Sequence, residues 1–266
     1  MSLPTQASMG QRMPALFIGH GTPIYTLSEN RYTNAWKQIA RDMAIPKAIL
    51  CISAHWMTRG TRITTAEYPK TIHDFGPIDP RLNVIEYKAP GAPSLARDIA
   101  GRVSFDIELD EGWGLDHGAW TVLRHMYPDA NIPVVQMSLD MNLSAREHFE
   151  RGKALDFLRD ENILILASGN IVHNLTLIDH REEYAYPWAL HADAKIAHHL
   201  VQNDVEPLLD YDSLGQEMDL AIPTPDHYWP LLYTLGVKRD EDILSFPVMG
   251  ISHGSMSMRS VLINQQ

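Results

Sequence analysis

The sequence predicts an α/β fold: a single domain with a central, mostly parallel sheet, helices on both faces, and a site at the carboxyl ends of the strands. Three observations predict it. Unbroken apolar runs at residues 15–18, 48–52 and 163–167 read as strands buried on both faces. Segments of helical spacing separate them, making β-α-β units whose crossovers are right-handed and parallel in nearly all cases. Each run also ends in small residues and a histidine: Gly19-His20-Gly21, Ser53-Ala54-His55, and Ser168-Gly169-Asn170-Ile171-Val172-His173. The crevice beyond the strand ends is where open parallel sheets bind ligands.

The elements follow in order. Residues 32–43 set Ala35, Trp36, Ile39, Ala40 and Met43 at helical spacing, Pro46 ends the connection, and the strand bearing His55 begins, expected to stop at Ser53. Residues 62–66 alternate as a strand. The stretch 71–80 holds so much Gly and Pro that it reads as a long loop, and such loops are usually functional or disordered. Residues 93–103 form a helix with proline in its first turn, and 105–109 alternate strictly, as a half-buried strand does. Gly112 to Trp120 leads into a helix through Val122, Leu123 and Met126; residues 132–138 are a central strand, and 144–159 read as one long amphipathic helix. Residues 185–209 are mostly helical, with a helix from about 191 to 202. Thr224 is placed as the N-cap and Pro225 as the first residue of another helix, which puts His227 in its first turn. Residues 243–248 and 260–263 close the fold as two strands, expected antiparallel. Residues 1–12 read as a disordered lead-in, with the domain spanning 13–266.

Composition narrows the function. A chain of 266 residues with 45% apolar content fits one α/β domain with a core of ordinary size. A formal charge of −11 argues against a nucleic-acid partner, because phosphate backbones are held by clustered Lys and Arg. The single cysteine, Cys51, lies in a buried strand and can form no intramolecular disulfide, which fits a cytoplasmic protein. No apolar run approaches the roughly 18 residues of a membrane span, and residues 1–12 lack the apolar centre of a signal peptide.

Histidine is abundant, 13 against 22 Lys plus Arg. His125, His148, His180, His191, His198 and His199 lie among charged neighbours on or beside helices and read as solvated or helix-packing residues. His20, His55 and His227 sit at strand ends or a helix start and are the candidate metal ligands. Neutral imidazoles suit Zn, Fe, Cu or Ni, and three of them leave positions open for substrate or water, as catalytic sites require. His173 is a candidate base or a turn residue. The sequence contains no HExxH, CxxC or P-loop, and spacing alone does not choose the metal.

Six segments in this order, Gly19-His20-Gly21-Thr22-Pro23, Ser53-Ala54-His55-Trp56, Thr71-Ile72-His73-Asp74-Phe75-Gly76, Asp116-His117-Gly118, Ser168 to Asn174 and Thr224-Pro225-Asp226-His227-Tyr228, closely resemble the class III (LigB-type) extradiol ring-cleavage dioxygenases, in the branch that contains the DOPA 4,5-dioxygenases. The resemblance runs from Met13 to Ile263. It implies a non-haem Fe(II) enzyme that takes a catechol and O2 as its small-molecule partners and opens the ring beside the two hydroxyls; in the DOPA branch the product is 4,5-seco-DOPA. It implies His20 and His55 as ligands, His173 as the acid-base residue for the catechol proton, and His117 as a contact to substrate or oxygen. The loop bearing His73 and Phe75 is suited to cover the ring, with Trp56, Phe75 and Tyr228 as apolar walls; residues 76–80 depart from the branch's usual pattern.

Many Fe(II) sites use two His and one carboxylate; here the third position falls on His227, with Asp226 beside it as the competing ligand. Three neutral ligands would also accept Zn(II), which is redox-inert. A zinc hydrolase on the same scaffold and a non-catalytic metal-binding protein therefore stand as alternatives, and a monomer or small homo-oligomer is expected.

Overall fold

The computed structural model describes residues 12–265, so most of the expected lead-in lies outside the described residues. Its strands are β1 (Ala15–Gly19), β2 (Ala48–Thr58), β3 (Thr61–Thr64), β4 (Ile107–Asp110), β5 (Val134–Asp140), β6 (Ile163–Gly169), β7 (Asp242–Val248), β8 (Ile251–Ser252), β9 (Met256–Ser257) and β10 (Ser260–Gln265). Eight of them make one sheet in the order β4-β3-β5-β2-β6-β1-β10-β7, and β8 pairs with β9. The central strands β5, β2, β6 and β1 are mutually parallel. β10 runs antiparallel to both β1 and β7, as the closing strands were expected to do.

The apolar runs bury both faces of the sheet, and alternation along each run decides which residue serves which side. Leu16 and Ile18 of β1, Ile49 and Cys51 of β2, and Leu164 and Leu166 of β6 face one core, shared with Trp36, Ile39, Trp120 and Leu123. These last four come from helices α1 (Arg31–Asp42) and the His117–Met126 helix, which becomes α3 once α2 (Pro93–Arg102) is counted. Ala15 and Phe17, Leu50 and Ile52, and Ile163, Ile165 and Ala167 face the other core. Covering that side are α4 (Ala145–Lys153), α5 (Phe157–Asp160), α6 (Pro187–Gln202), α7 (Val205–Leu209), α8 (Glu217–Ala221) and α9 (Trp229–Gly236). Among the described residues no helix is long and apolar enough to cross a membrane.

Five expectations change in detail. The single helix over 144–159 is two, α4 and α5, joined by a tight turn that brings Leu155 and Leu158 fully into the core. The strand expected over 105–109 begins only at Ile107, and α6 starts at Pro187, where a proline costs no helical hydrogen bond. Pro225–His227 is a 3-10 turn without a side-chain cap from Thr224, and the helix proper is α9. Most relevant to function, β2 does not stop at Ser53. It pairs with β5 through Ile52↔Met137, loses register, and resumes at Met57↔Leu139. Residues 53–56 therefore bulge opposite the single residue Ser138, and a bulge re-aims side chains next to a site.

The strand edge away from the site is pinned by a fully buried ion pair. Arg159 bonds Asp242 with both terminal nitrogens and donates to the Met13 and Val237 carbonyls at 2.9 and 2.6 Å. Arg12 joins it, pairing with Asp160, Glu241 and Asp242. Breaking a buried pair leaves an uncompensated charge, so Arg159→Met should lower the unfolding free energy by about 3 kcal/mol, read from urea denaturation.

Candidate active site

The histidines at the strand ends meet. β1 delivers His20, the β2 bulge delivers His55, the first turn of α3 delivers His117, the segment after β6 delivers His173, and the turn before α9 delivers His227. Two close approaches assemble them. A Cβ on Gly118 would stand 2.6 Å from Ser53 Oγ and 2.9 Å from His55 Cδ2, and one on Gly169 would stand 2.2 Å from the His227 carbonyl oxygen. Only glycine lets α3 and β6 sit this near the bulge and the His227 turn. Asn170 extends the second seam, donating its N–H to the His227 carbonyl at 2.9 Å and its side-chain amide to Ser257.

His20 and His55 present their Nε2 atoms to each other at 3.2 Å. Two nitrogens each about 2.05 Å from one ion at a tetrahedral angle lie about 3.3 Å apart, so this span fits a shared metal. His20, His55 and His117 each offer a nitrogen, and the three nitrogens lie within 4.8 Å of one another. The ring of His227 lies 5.3 Å from that of His20 and 4.9 Å from that of His55, centre to centre. His173 stacks on His227 at 3.4 Å with the planes 8° apart.

Neighbouring groups settle the tautomers. Ser168 Oγ donates its only proton to the Gly118 carbonyl at 2.6 Å, so toward His20 Nδ1, at 2.9 Å, it can only accept. His20 therefore carries its proton on Nδ1 and a lone pair on Nε2, where a ligand needs it. His227 Nδ1 faces the Asp226 carboxylate, and its Nε2 is buried with no hydrogen-bond partner. A carboxylate–imidazole pair with the distal nitrogen free is the usual arrangement of a metal-binding histidine. It also accounts for Asp226, whose carboxylate holds the ring. Asp74 accepts the His117 backbone N–H at 2.9 Å and lies 3.1 Å from His117 Nδ1 and 3.5 Å from His55 Nδ1. The donor set and its outer partners fit a single divalent metal.

Burial, with neighbouring imidazoles adding to it, holds His20, His55 and His173 well below the ordinary histidine value; for His173 the Asp226 charge opposes this. Beneath them Asp116 caps α3 and accepts from Ser53 and Gln136. Its carboxyl is pushed up to about 6, by burial and by the Asp74 charge, against the pull of Ser53.

Some expected roles are corrected. Tyr228 is fully buried in the core beneath the sheet and spends its hydroxyl on the Leu208 carbonyl, so it offers no wall to a substrate. Trp56 is buried too, stacked flat on Trp113 with centres 5.3 Å apart. His73 is exposed, and its Nε2 donates to the Ile85 carbonyl, which ties the loop down. Phe75 does reach the cluster, meeting the His117 ring edge-on at 5.5 Å. His125 and His148 take the helix-packing alternative, buried in α3 and α4 with His125 on the Tyr25 carbonyl and His148 on the Tyr233 hydroxyl. Ser168, Asp74 and the orienting role of Asp226 were not anticipated; a polar residue one step from each histidine or strand end was the available signal.

An α/β sheet with one histidine-lined metal site at its strand ends defines a class of metal-dependent enzymes. Known proteins make it specific: residues 14–253 match the model of the catalytic LigB subunit of aromatic ring-opening dioxygenases, and the chain belongs to that family. It is 47% identical over 259 residues to the 4,5-DOPA dioxygenase extradiol of Escherichia coli K12, covering 95% of both chains. The protein of that name from Beta vulgaris is 35% identical over 83% of this chain and 85% of its own. A crystal structure of an uncharacterized Escherichia coli K12 protein superposes with a TM-score of 0.83 at 43% identity, covering 95% of this chain and all of that one. The chain is thus an extradiol aromatic ring-opening dioxygenase.

Two outcomes follow from the site. Ser168→Ala frees His20 to protonate on Nε2 and should weaken zinc or cobalt binding about tenfold in a chelator competition, with the fold intact. For the metal-free protein, the unfolded chain takes up protons on His20, His55 and His173 below about pH 6.5 while the folded chain does not. Stability is therefore lost as pH falls below that value, by about 1.4 kcal/mol per pH unit for each such histidine, with Asp116 giving some back as it protonates near 6. Urea midpoints between pH 7.5 and 5 read this directly.

Proposed function

We propose that the enzyme opens the ring of side-chain-bearing catechols, L-DOPA among them, beside the two hydroxyls, using Fe(II) held by His20, His55 and His227. The observation that carries the ligand set is the buried, unpartnered Nε2 of His227, whose Nδ1 is engaged by Asp226. His117 is nearer to His55, with centres 3.8 Å apart against 4.9 Å for His227, but its Nδ1 side faces Asp74 and its ring faces Phe75, which suits a residue that borders the substrate. The DOPA assignment draws on the names of the bacterial and plant relatives.

A bound Fe(II) would supply the positive charge that acidifies a catechol hydroxyl and the redox activity that the reaction with O2 needs. The residues do the rest. His173, kept neutral by burial, accepts the hydroxyl proton and returns it later in the cycle; stacking on His227 fixes where its ring lies. Phe75 and the clamped loop around it exclude water from the ring. Both oxygen atoms enter the product, so the reaction needs no external reductant.

The test is anaerobic loading with Fe(II), then oxygen uptake and visible absorbance after adding L-DOPA and simple catechols. One O2 consumed per catechol, with a new yellow product, is expected, and zinc-loaded protein should be inert. No uptake by iron-loaded protein with any catechol would overturn the reading. The variants separate the roles: His227→Ala should lose the metal, whereas His173→Ala and His117→Ala should keep it and lose turnover by at least 100-fold. If His117→Ala loses the metal and His227→Ala keeps it, the two assignments exchange.

A further inference from the structure

The ligands assigned above are all neutral, whereas Fe(II) sites of the facial-triad type carry one negative charge among theirs. A divalent ion held by them would be buried with no anion touching it. Two carboxylates stand just behind the histidines instead. Asp226 backs His227. Asp74 stands between His55 and His117, one oxygen 3.1 Å from His117 Nδ1 and the other 3.5 Å from His55 Nδ1.

Asp74 is also held more firmly than a loop residue usually is. The Ile72 N–H donates to the Leu115 carbonyl at 2.7 Å and the Leu115 N–H to the Lys70 carbonyl at 2.8 Å, so the loop runs as a short ladder beside the approach to α3. Trp120 Nε1 donates to the Ile72 carbonyl at 2.8 Å, and His73 closes the other side on Ile85. The carboxylate then takes the first N–H of α3, at His117, which fixes one of its oxygens. The loop is thus anchored on both sides of Asp74, and the side chain itself by the His117 N–H.

We infer that Asp74 is a positioning residue which sets its carboxylate against the outer, Nδ1 sides of His55 and His117 and so places beside the metal the negative charge its ligand set lacks. This rests on reading the cluster as a metal centre. A carboxylate so placed makes the imidazole behind which it stands a better donor and lowers the cost of holding a dication away from water.

Asp74→Asn isolates the charge, because the amide oxygen still accepts the His117 N–H. Zinc and cobalt affinities from chelator competition should fall 10- to 100-fold in this variant, while the thermal midpoint of the metal-free protein stays unchanged. Asp74→Glu, which keeps the charge, should bind more tightly than the Asn variant even if its geometry is poorer. Iron-loaded Asp74→Asn should lose more in kcat than in KM. Wild-type affinity in the Asn variant, or equal weakening in Asn and Glu, would overturn the proposal and leave Asp74 as a loop anchor. Metal affinity is read without any catechol, so a failed ring-cleavage assay would sink the functional reading and not this one; a wild-type chain that binds no divalent ion would sink both.

Discussion

His20, His55 and His173 share one cleft in which burial makes a resting charge on any of their rings costly, and much of the architecture answers that constraint. An imidazolium at His20 or His55 would be desolvated and would face its neighbours at hydrogen-bonding distance. The fold meets this by burial on one side and by fixed acceptors on the other. Ser168 and Asp226 each take a specific ring proton, so the remaining nitrogen is a lone pair aimed inward. The arrangement that leaves those lone pairs makes the rings a set of metal donors, since a ligand nitrogen must be deprotonated. Ligand readiness is thus a by-product of tolerating the cluster at all.

The backbone that satisfies this constraint is irregular where it must be. A regular β2 would point Ser53 and His55 to one face and Ala54 and Trp56 to the other, in step with β5. The bulge against Ser138 releases that alternation, so His55 can lean toward His20 while Trp56 stacks on Trp113. Gly118 and Gly169 then allow the helix start and the neighbouring strand to close on the bulge without collision. Asp116, capped onto α3 and tied to Ser53 and Gln136, is the buried bolt that joins bulge, helix and β5.

Much of this was legible in the sequence. Both-face burial showed as unbroken apolar runs, and the site showed as histidines following three of those runs, because strand ends in a parallel sheet converge whatever lies between them. His117 was legible only through resemblance: Asp-His-Gly at a helix start carries no periodic or compositional signal of its own. Orientation was the illegible part. Tyr228 and Trp56 sit one residue from cluster histidines yet face away, and nothing in a linear pattern says which side of a 3-10 turn or a bulge a ring will take. Asp74 was hidden for a related reason, since its importance lies in a ladder with residue 115 that only the folded loop creates.

The candidate ligands and their neighbours are drawn from residue 20 to residue 227, one from almost every layer of the chain. No fragment of the protein contains the set, and no local hairpin or helix pair can pre-form it. Metal capture would therefore report completed folding: an ion bound by His20, His55 and His227 would hold β1, the bulge and the turn before α9 in one thermodynamic unit. Loaded protein should open as a whole where metal-free protein can fray, and its resistance to proteolysis will rise with free metal concentration through mass action alone.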